Sequence, residues 1–483
     1  MKQNQTKIKT ISTMKKLFST LLAAGFAAFL FVSCCNNVQQ PWNPTTPEWA
    51  KKSTIYEVNI RQFTPEGTFA AFREHLPRLQ ALGADILWFM PIHPIGVKNR
   101  KGTLGSYYSV QCFRKINPEF GTEEEFKDLV REIHRLGMRI ILDFVPNHTA
   151  PDHRWVTENP EWYIWREDGT LYYKHDWYDI AQLNWQNPEV ADAILADMLF
   201  QIREWNIDGF RQDVAGYVPV QFWERARREF DAIRPTFHLA EDENFSVFLH
   251  RAFDANYTWH LSNTLMNRIA QGRPGYDVNS IMRWHHEDIR RVPRRAFRMM
   301  FTSNHDENSW AGTEFDRMGD AKATMAVLTF TFENSFPLIY NGQEAGHNRM
   351  LEFFENDSID WDGPRAADWT DFYTTLVAMK RNNEALWNGE WGARMVRVNT
   401  NEQERVLAFT REKNGNRVFT ILNMSDRPVT FTFEGDRFVG QYTEVIRGTG
   451  NYFTTNSDNR VTFTANQTMS MDAWSYQVLV MNF

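Results

Sequence analysis

The sequence predicts an α/β protein: a closed (β/α)8 barrel, with a short insertion after its third strand, followed by a C-terminal antiparallel β-sandwich. Three observations carry this expectation. Continuous apolar runs recur from about residue 53, amphipathic stretches separate them, and near residue 392 the pattern changes to alternation. Continuous runs mark strands buried on both faces, as a parallel sheet requires, whereas alternation marks antiparallel strands with one wet face. A chain of 483 residues has room for one large domain and a smaller one.

The first element is an address. Lys15 and Lys16 precede an apolar run, Leu17 to Val32, that ends Ser33-Cys34-Cys35. The run is shorter than the ~20 residues of a membrane-spanning helix and has the layout of an export signal. It resembles a bacterial lipoprotein signal, over residues 1–34, in which Cys34 is lipidated. The resemblance implies an exported protein held on a membrane by its N-terminal lipid, periplasmic or at the cell surface. Residues 35–49 are polar and contain proline, as a tether does.

The barrel is expected over 50–148 and 180–390. Its strands are read in STIYEVNI, ADILWFMPI, MRIILDFV, IDGFRQDV, FHLAEDE, RMMFTSNHD and FPLIYNGQE, with the sixth near FDANYTWHL. Between them lie helical stretches such as EEEFKDLVREIHRLG, apolar at three- and four-residue spacing and closed by a glycine. The insertion, 149–179, is rich in aromatic residues. Some of these rings are needed for its own core, and Trp155, Trp165 and Trp177 are the candidates to face a ligand. Over 391–483, RVLAFTRE, NRVFTILNM, PVTFTFEG and SYQVLVMNF read as strands of the sandwich.

A net charge of -7 with mixed signs argues against nucleic acid as a partner. Of three cysteines only Cys112 lies beyond the signal, so neither a disulfide framework nor a zinc site is expected. Functional groups of a barrel gather at the C-terminal ends of its strands. Those ends supply Asp143, Asn147 and His148, then Arg211 and Asp213, then Glu241, then Asn304, His305 and Asp306. Several acids converging on one mouth beside an arginine and two histidines raise each other's pKa, an arrangement without purpose in a merely structural site. Glycoside cleavage uses such a set: one carboxylate attacks the anomeric carbon and a second carboxyl protonates the leaving oxygen.

The segments DFVPNH (143–148), GFRQD (209–213), HLAED with its Glu241, and FTSNHD (301–306) resemble, in order, the signature regions of glycoside hydrolase family 13, the α-amylase family. IYEVNIRQF, GSYYSV, INPEFGT and PLIYNGQE are similar to further stretches of that family. The resemblance implies a retaining α-glycosidase acting on α-1,4-glucans such as starch or maltodextrins. Asp213 would be nucleophile, Glu241 general acid/base and Asp306 transition-state stabiliser. Arg211 would hold Asp213 ionised, buttressed by Asp143, while Tyr108, His148 and His305 grip the sugar. Tyr107 is the alternative to Tyr108, and Asp242 or Glu243 the alternatives to Glu241.

Two family sources of calcium ligands are absent. Gly216 and Tyr217 stand where many relatives carry lysine and histidine, and no acidic glycine-rich loop follows the first strand. No cofactor is therefore expected, although Asn147 could join a calcium site with Asp152, Asp168 or Asp176. The alternatives to hydrolysis are transglycosylation or isomerisation through the same intermediate, and a non-catalytic glucan-binding lipoprotein.

Overall fold

The computed structural model describes residues 43–450, 452–455 and 459–482. Cys34, the apolar run before it and residues 35–42 lie outside the described residues.

Eight parallel strands form the barrel. They are β1 (Ile55–Val58), β2 (Ile86–Phe89), β3 (Arg139–Phe144), β4 (Gly209–Gln212), β5 (Phe237–Ala240), β6 (Ala255–Tyr257), β7 (Phe297–Met300) and β8 (Ser335–Tyr340). They close in the order β1-β8-β7-β6-β5-β4-β3-β2, and Ile55 pairs with both Ile86 and Leu338 to seal the ring. Each predicted run overlaps its strand, β7 and β8 starting one residue earlier than read, and the short sixth strand lies inside FDANY.

The barrel interior is filled by Trp88, Ile141, Phe237, Leu239, Tyr257, Phe297, Met299 and Phe336, all fully buried. A larger core lies between strands and helices. The helix Glu123–Arg135 shows how the sequence builds it: Phe126, Leu129, Val130 and Ile133 share one buried face. Thr122 and Glu125 close a reciprocal capping box at its start, a device that contributes ~1 kcal/mol. Gly209 opens β4 at φ +148°, and a Cβ there would stand 1.8 Å from the Phe237 carbonyl oxygen. Only glycine lets β4 approach β5 this closely.

The excursion after β3 is stemmed by an antiparallel pair, His148–Thr149 with Ala181–Gln182. It carries the short helix Trp155–Glu158 and a bridge between Trp165 and Leu171.

Residues 44–49, read as tether, are instead docked on the barrel. Arg227 donates to the Thr45 carbonyl at 2.8 Å, Thr46 donates to Asp254 at 2.6 Å, and Trp49 packs on Phe237. Polar, proline-rich composition hid this, because the attachment uses side-chain hydrogen bonds and a single ring.

The C-terminal strands are β9 (Met395–Val398), β10 (Val406–Lys413), β11 (Asn416–Asn423), β12 (Val429–Thr432), β13 (Gly440–Thr449), β14 (Tyr452–Thr455), β15 (Arg460–Phe463), β16 (Thr468–Met471) and β17 (Tyr476–Asn482). Among the described residues, one sheet runs β9-β10-β11-β17-β13-β14 with β15 beside β13, and β12 pairs with β16. Phe419, Phe431, Phe433, Phe438 and Phe463 fill the space between. Arg411 on β10 is fully buried against the barrel and donates to the carbonyls of Phe332 at 2.7 Å, Ala393 at 3.1 Å and Thr331 at 3.2 Å.

Candidate active site

A cavity of about 640 Å³ opens at the C-terminal ends of the strands, lined by Tyr108, His148, Asp213, Glu241, His305 and Asp306. They come from several positions round the ring, so the barrel itself converges them. Asp143 and Arg211 lie on β3 and β4, Asp213 just past β4, Glu241 just past β5 and His305 and Asp306 beyond β7.

Arg211 is the centre of this group and is wholly buried. Its Nη1 donates to Asp143 Oδ1 at 2.9 Å and to Asp213 Oδ1 at 3.0 Å. Its Nη2 lies 2.8 Å from Glu241 Oε2, and its Nε donates to the Tyr257 hydroxyl at 3.1 Å. Val214 follows in the left-handed region, φ +39°, a conformation a β-branched residue adopts only under constraint. That turn aims its N–H at Glu241 Oε2, 2.7 Å away.

Charges this crowded separate the acids. Burial pushes Asp213 up, Arg211 opposes it and Asp143 adds to it, leaving the carboxyl at about 6. Glu241 is pushed higher, to about 8: burial leads, Arg211 opposes, and Asp213 and Asp306 reinforce. At neutral pH one carboxyl is therefore ionised and its neighbour protonated. His148 is lowered to about 4 by burial, so its imidazole is neutral.

His305 goes the other way. Burial would lower it, but Asp306 and Glu57 hold it up at about 9. Glu57, on β1 and completely buried, meets His305 Nδ1 through Oε1 at 2.5 Å. His305 Nε2 reaches the Tyr108 hydroxyl at 2.9 Å and Asp306 Oδ1 at 3.4 Å. The Tyr108 hydroxyl donates to Asp143 Oδ2 at 3.0 Å. Sequence reasoning missed Glu57. It sits inside a strand among apolar residues, and only its place at the inward end of the first run could have drawn notice.

The structure separates the neighbours that sequence left open. Tyr107 is buried under the Arg61 guanidinium, 4.2 Å from its ring centroid, while Tyr108 faces the cavity. Asp242 caps the Phe245 N–H and Glu243 accepts from His260 N–H, so Glu241 alone of the three lines the cavity. Of the insertion's rings, Trp177 faces the cavity and brings Tyr178 with it. Trp155 is buried against His153 and Trp162, and Trp165 donates to the Pro160 carbonyl away from the cavity. Neither is a ligand platform in this cavity: Trp155 belongs to the insertion's own core, and Trp165, 43% exposed, lies outside the cavity lining.

Several of the oxygens considered for calcium have partners within the protein. Asn147 Oδ1 accepts from Gln182 Nε2 at 2.7 Å, Asp152 accepts from Val97 N–H and Gln111, and Asp168 accepts from Thr170. Lys101 stands 3.5 Å from Asp179 and 4.0 Å from Asp176, supplying positive charge at that place. Among the described residues no three His, Cys, Asp or Glu side chains converge as a metal site.

A closed parallel barrel whose mouth holds carboxyl groups split between ionised and protonated states is the framework of a glycoside hydrolase. The chain belongs to the α-amylase family: residues 49–364 match the family of the α-amylase catalytic domain. Over 404 residues it is 27% identical to α-amylase MalA of Haloarcula japonica, a match covering 80% of this chain and 57% of that one. Over 418 residues it is 25% identical to α-1,4-glucan:maltose-1-phosphate maltosyltransferase 1 of Streptomyces coelicolor, covering 75% and 56%. The chain thus spans a little over half the length of these two relatives. In fold it is similar to the maltogenic α-amylase AmyB of Thermotoga neapolitana, with a TM-score of 0.78 and 24% identity over 90% of this chain and 100% of that one.

Replacing Glu57 by Gln keeps the shape and a hydrogen-bonding group but removes the charge beside His305. The His305 imidazole is then expected to titrate about one pH unit lower or more, read by NMR of histidine-labelled protein. An unchanged titration refutes the pairing.

Proposed function

We propose that this enzyme hydrolyses α-1,4-glucosidic bonds of starch-type glucans or maltooligosaccharides with retention of configuration. The observation that carries the proposal is the pair of carboxyl groups, Asp213 and Glu241, held on one buried guanidinium in opposite protonation states. Both carboxyl groups contact one guanidinium at the same mouth, and in retaining enzymes the two carboxyls stand ~5–5.5 Å apart.

In this reading Asp213 attacks the anomeric carbon while Glu241 gives its proton to the leaving oxygen, forming a glycosyl ester on Asp213. Glu241, now a carboxylate, takes a proton from water, which attacks the anomeric carbon and displaces the Asp213 carboxylate. Asp306, more open to the cavity than its neighbours, binds sugar hydroxyls and offsets the developing positive charge. Tyr108, His148 and His305 surround the sugar at the cleavage point. Transfer to a second sugar uses the same ester, and the maltosyltransferase among the relatives makes it the alternative. The products formed from maltoheptaose distinguish the two.

The N-terminal signal supports lipidation at Cys34 and a membrane-bound, exported enzyme. Labelling with palmitate is expected in the intact protein and lost in Cys34→Ala; label that persists in the variant refutes the assignment.

Asp213→Asn is expected to lower kcat by several orders of magnitude with the fold intact. A correctly folded variant with near-normal turnover overturns the nucleophile. The intact enzyme is expected to release the α-anomer first, seen by proton NMR.

The profile of kcat/KM against pH is expected to be bell-shaped. It falls as pH drops through about 6, where Asp213 gains a proton, and as pH rises through about 8, where Glu241 loses one. The same rates are expected after dialysis against EDTA, because the oxygens near Asn147 are held by protein donors. A flat profile, or activity restored only by added calcium, refutes these assignments.

A further inference from the structure

The rim of the cavity is built unevenly. In a ring of eight strands β1 stands opposite β5, so the side of the mouth over β1 faces away from Glu241. There the loop after β2, residues 97–105, meets the loop after β8, residues 350–357. Leu104 N–H donates to the Phe354 carbonyl at 3.0 Å and Thr103 N–H to Glu355 Oε1 at 2.8 Å. Gly102, at φ +61°, lies so close that a Cβ there would be 2.4 Å from the Phe354 Cβ.

This junction is fastened on both flanks. Towards the insertion, Asn99 donates to the Tyr178 carbonyl at 3.2 Å, and Lys101 pairs with Asp179 at 3.5 Å while lying over the Tyr178 ring. Towards β7, the Asn308 side chain accepts from Leu351 N–H at 2.9 Å and donates to the Arg349 carbonyl at 3.1 Å. Below it, Gln62 donates to the Glu352 carbonyl at 2.8 Å. A continuous collar therefore runs from the insertion, over β2, β1 and β8, to the segment after β7.

The collar begins close to the chemistry. Phe353 lies parallel to Tyr108 with ring centroids 6.4 Å apart, and Trp310 packs on Phe353 at 5.3 Å. The opposite rim has a different character: Tyr217, Phe245 and Val247, in the segments after β4 and β5, are all more than 40% exposed.

Direction follows from the acid. Glu241 protonates the oxygen of the departing sugar, so the leaving chain lies on the β5 side. The sugar attacked by Asp213, and everything towards its non-reducing end, must lie towards the collar. We infer that the collar of residues 97–105 and 350–357 ends the glycone side of the cleft, so that the enzyme acts on the non-reducing ends of α-glucan chains and releases short products of set length. This rests on the glucan-hydrolase reading above and adds the direction and mode of attack. Lys101 and Glu355 are the residues that hold the barrier in place, and the exposed rings at 217 and 245 are the surface over which the remaining chain leaves.

The test compares p-nitrophenyl α-maltoheptaoside with the same compound capped at its non-reducing end by a 4,6-ethylidene group, all products being followed by chromatography. The uncapped substrate is expected to yield one dominant short maltooligosaccharide, and the capped one to react at least about tenfold more slowly, since a closed site rejects added bulk by clash. In a folded Lys101→Ala/Glu355→Ala double variant the difference is expected to narrow and product lengths to spread. Equal rates on the two substrates, with products of mixed length, overturn the inference while leaving the hydrolase reading intact. A difference that persists unchanged in the folded double variant also overturns it, by placing the barrier elsewhere. Failure to cleave either substrate refutes the hydrolase reading, and the inference falls with it.

Discussion

The site depends on a single buried cation. Arg211 receives Asp143, Asp213 and Glu241 on two of its nitrogens, and none of those carboxyl groups could be brought so near the others without it. Removing one partner of a buried ion pair typically costs ~3–5 kcal/mol, because the remaining charge stays desolvated. Here the arginine does more than neutralise. Its attraction partly cancels the upward push of burial on Asp213, while Glu241, with Asp213 and Asp306 both acting on it, remains the weaker acid. One guanidinium therefore opposes burial at both carboxyl groups, and the surroundings of each leave Glu241 the weaker acid.

A second cation balances the far side of the mouth. His305 is held between Glu57 and Asp306, and through Tyr108 and Asp143 it is linked by hydrogen bonds to Arg211. The chain of contacts crosses β1, β7, the β2–β3 connection, β3 and β4. Such a network fixes side-chain orientation by mutual constraint, and each member is satisfied only while the others stay in place.

Much of this was legible in the sequence because it depends on local order. Strand ends of a parallel barrel point the same way, so Asp143, Asp213, Glu241 and Asp306 could be assigned to one mouth from their positions alone. What escaped depends on contacts between distant segments. Glu57 reads as an odd polar residue in an apolar strand until its partner, 248 residues away, is placed beside it. Trp155 and Trp165 could not be told from Trp177, since all three occupy one aromatic-rich insertion and only packing divides them. Residues 44–49 read as tether because the pins that dock them, Arg227 and Asp254, belong to elements far along the chain.

Arg411 bears on how this molecule could be divided. Its guanidinium donates to main-chain carbonyls of buried residues at the end of one barrel helix and in the linker to the sandwich. A barrel cut free near residue 390 would keep the Thr331 and Phe332 carbonyls and lose their donor, besides uncovering the apolar surface that β10 protects. Barrel and sandwich are consequently not interchangeable modules. A recombination that exchanged the last hundred residues for another β-domain would have to bring an equivalent buried donor with it, a constraint on shuffling as tight as any imposed by the catalytic groups.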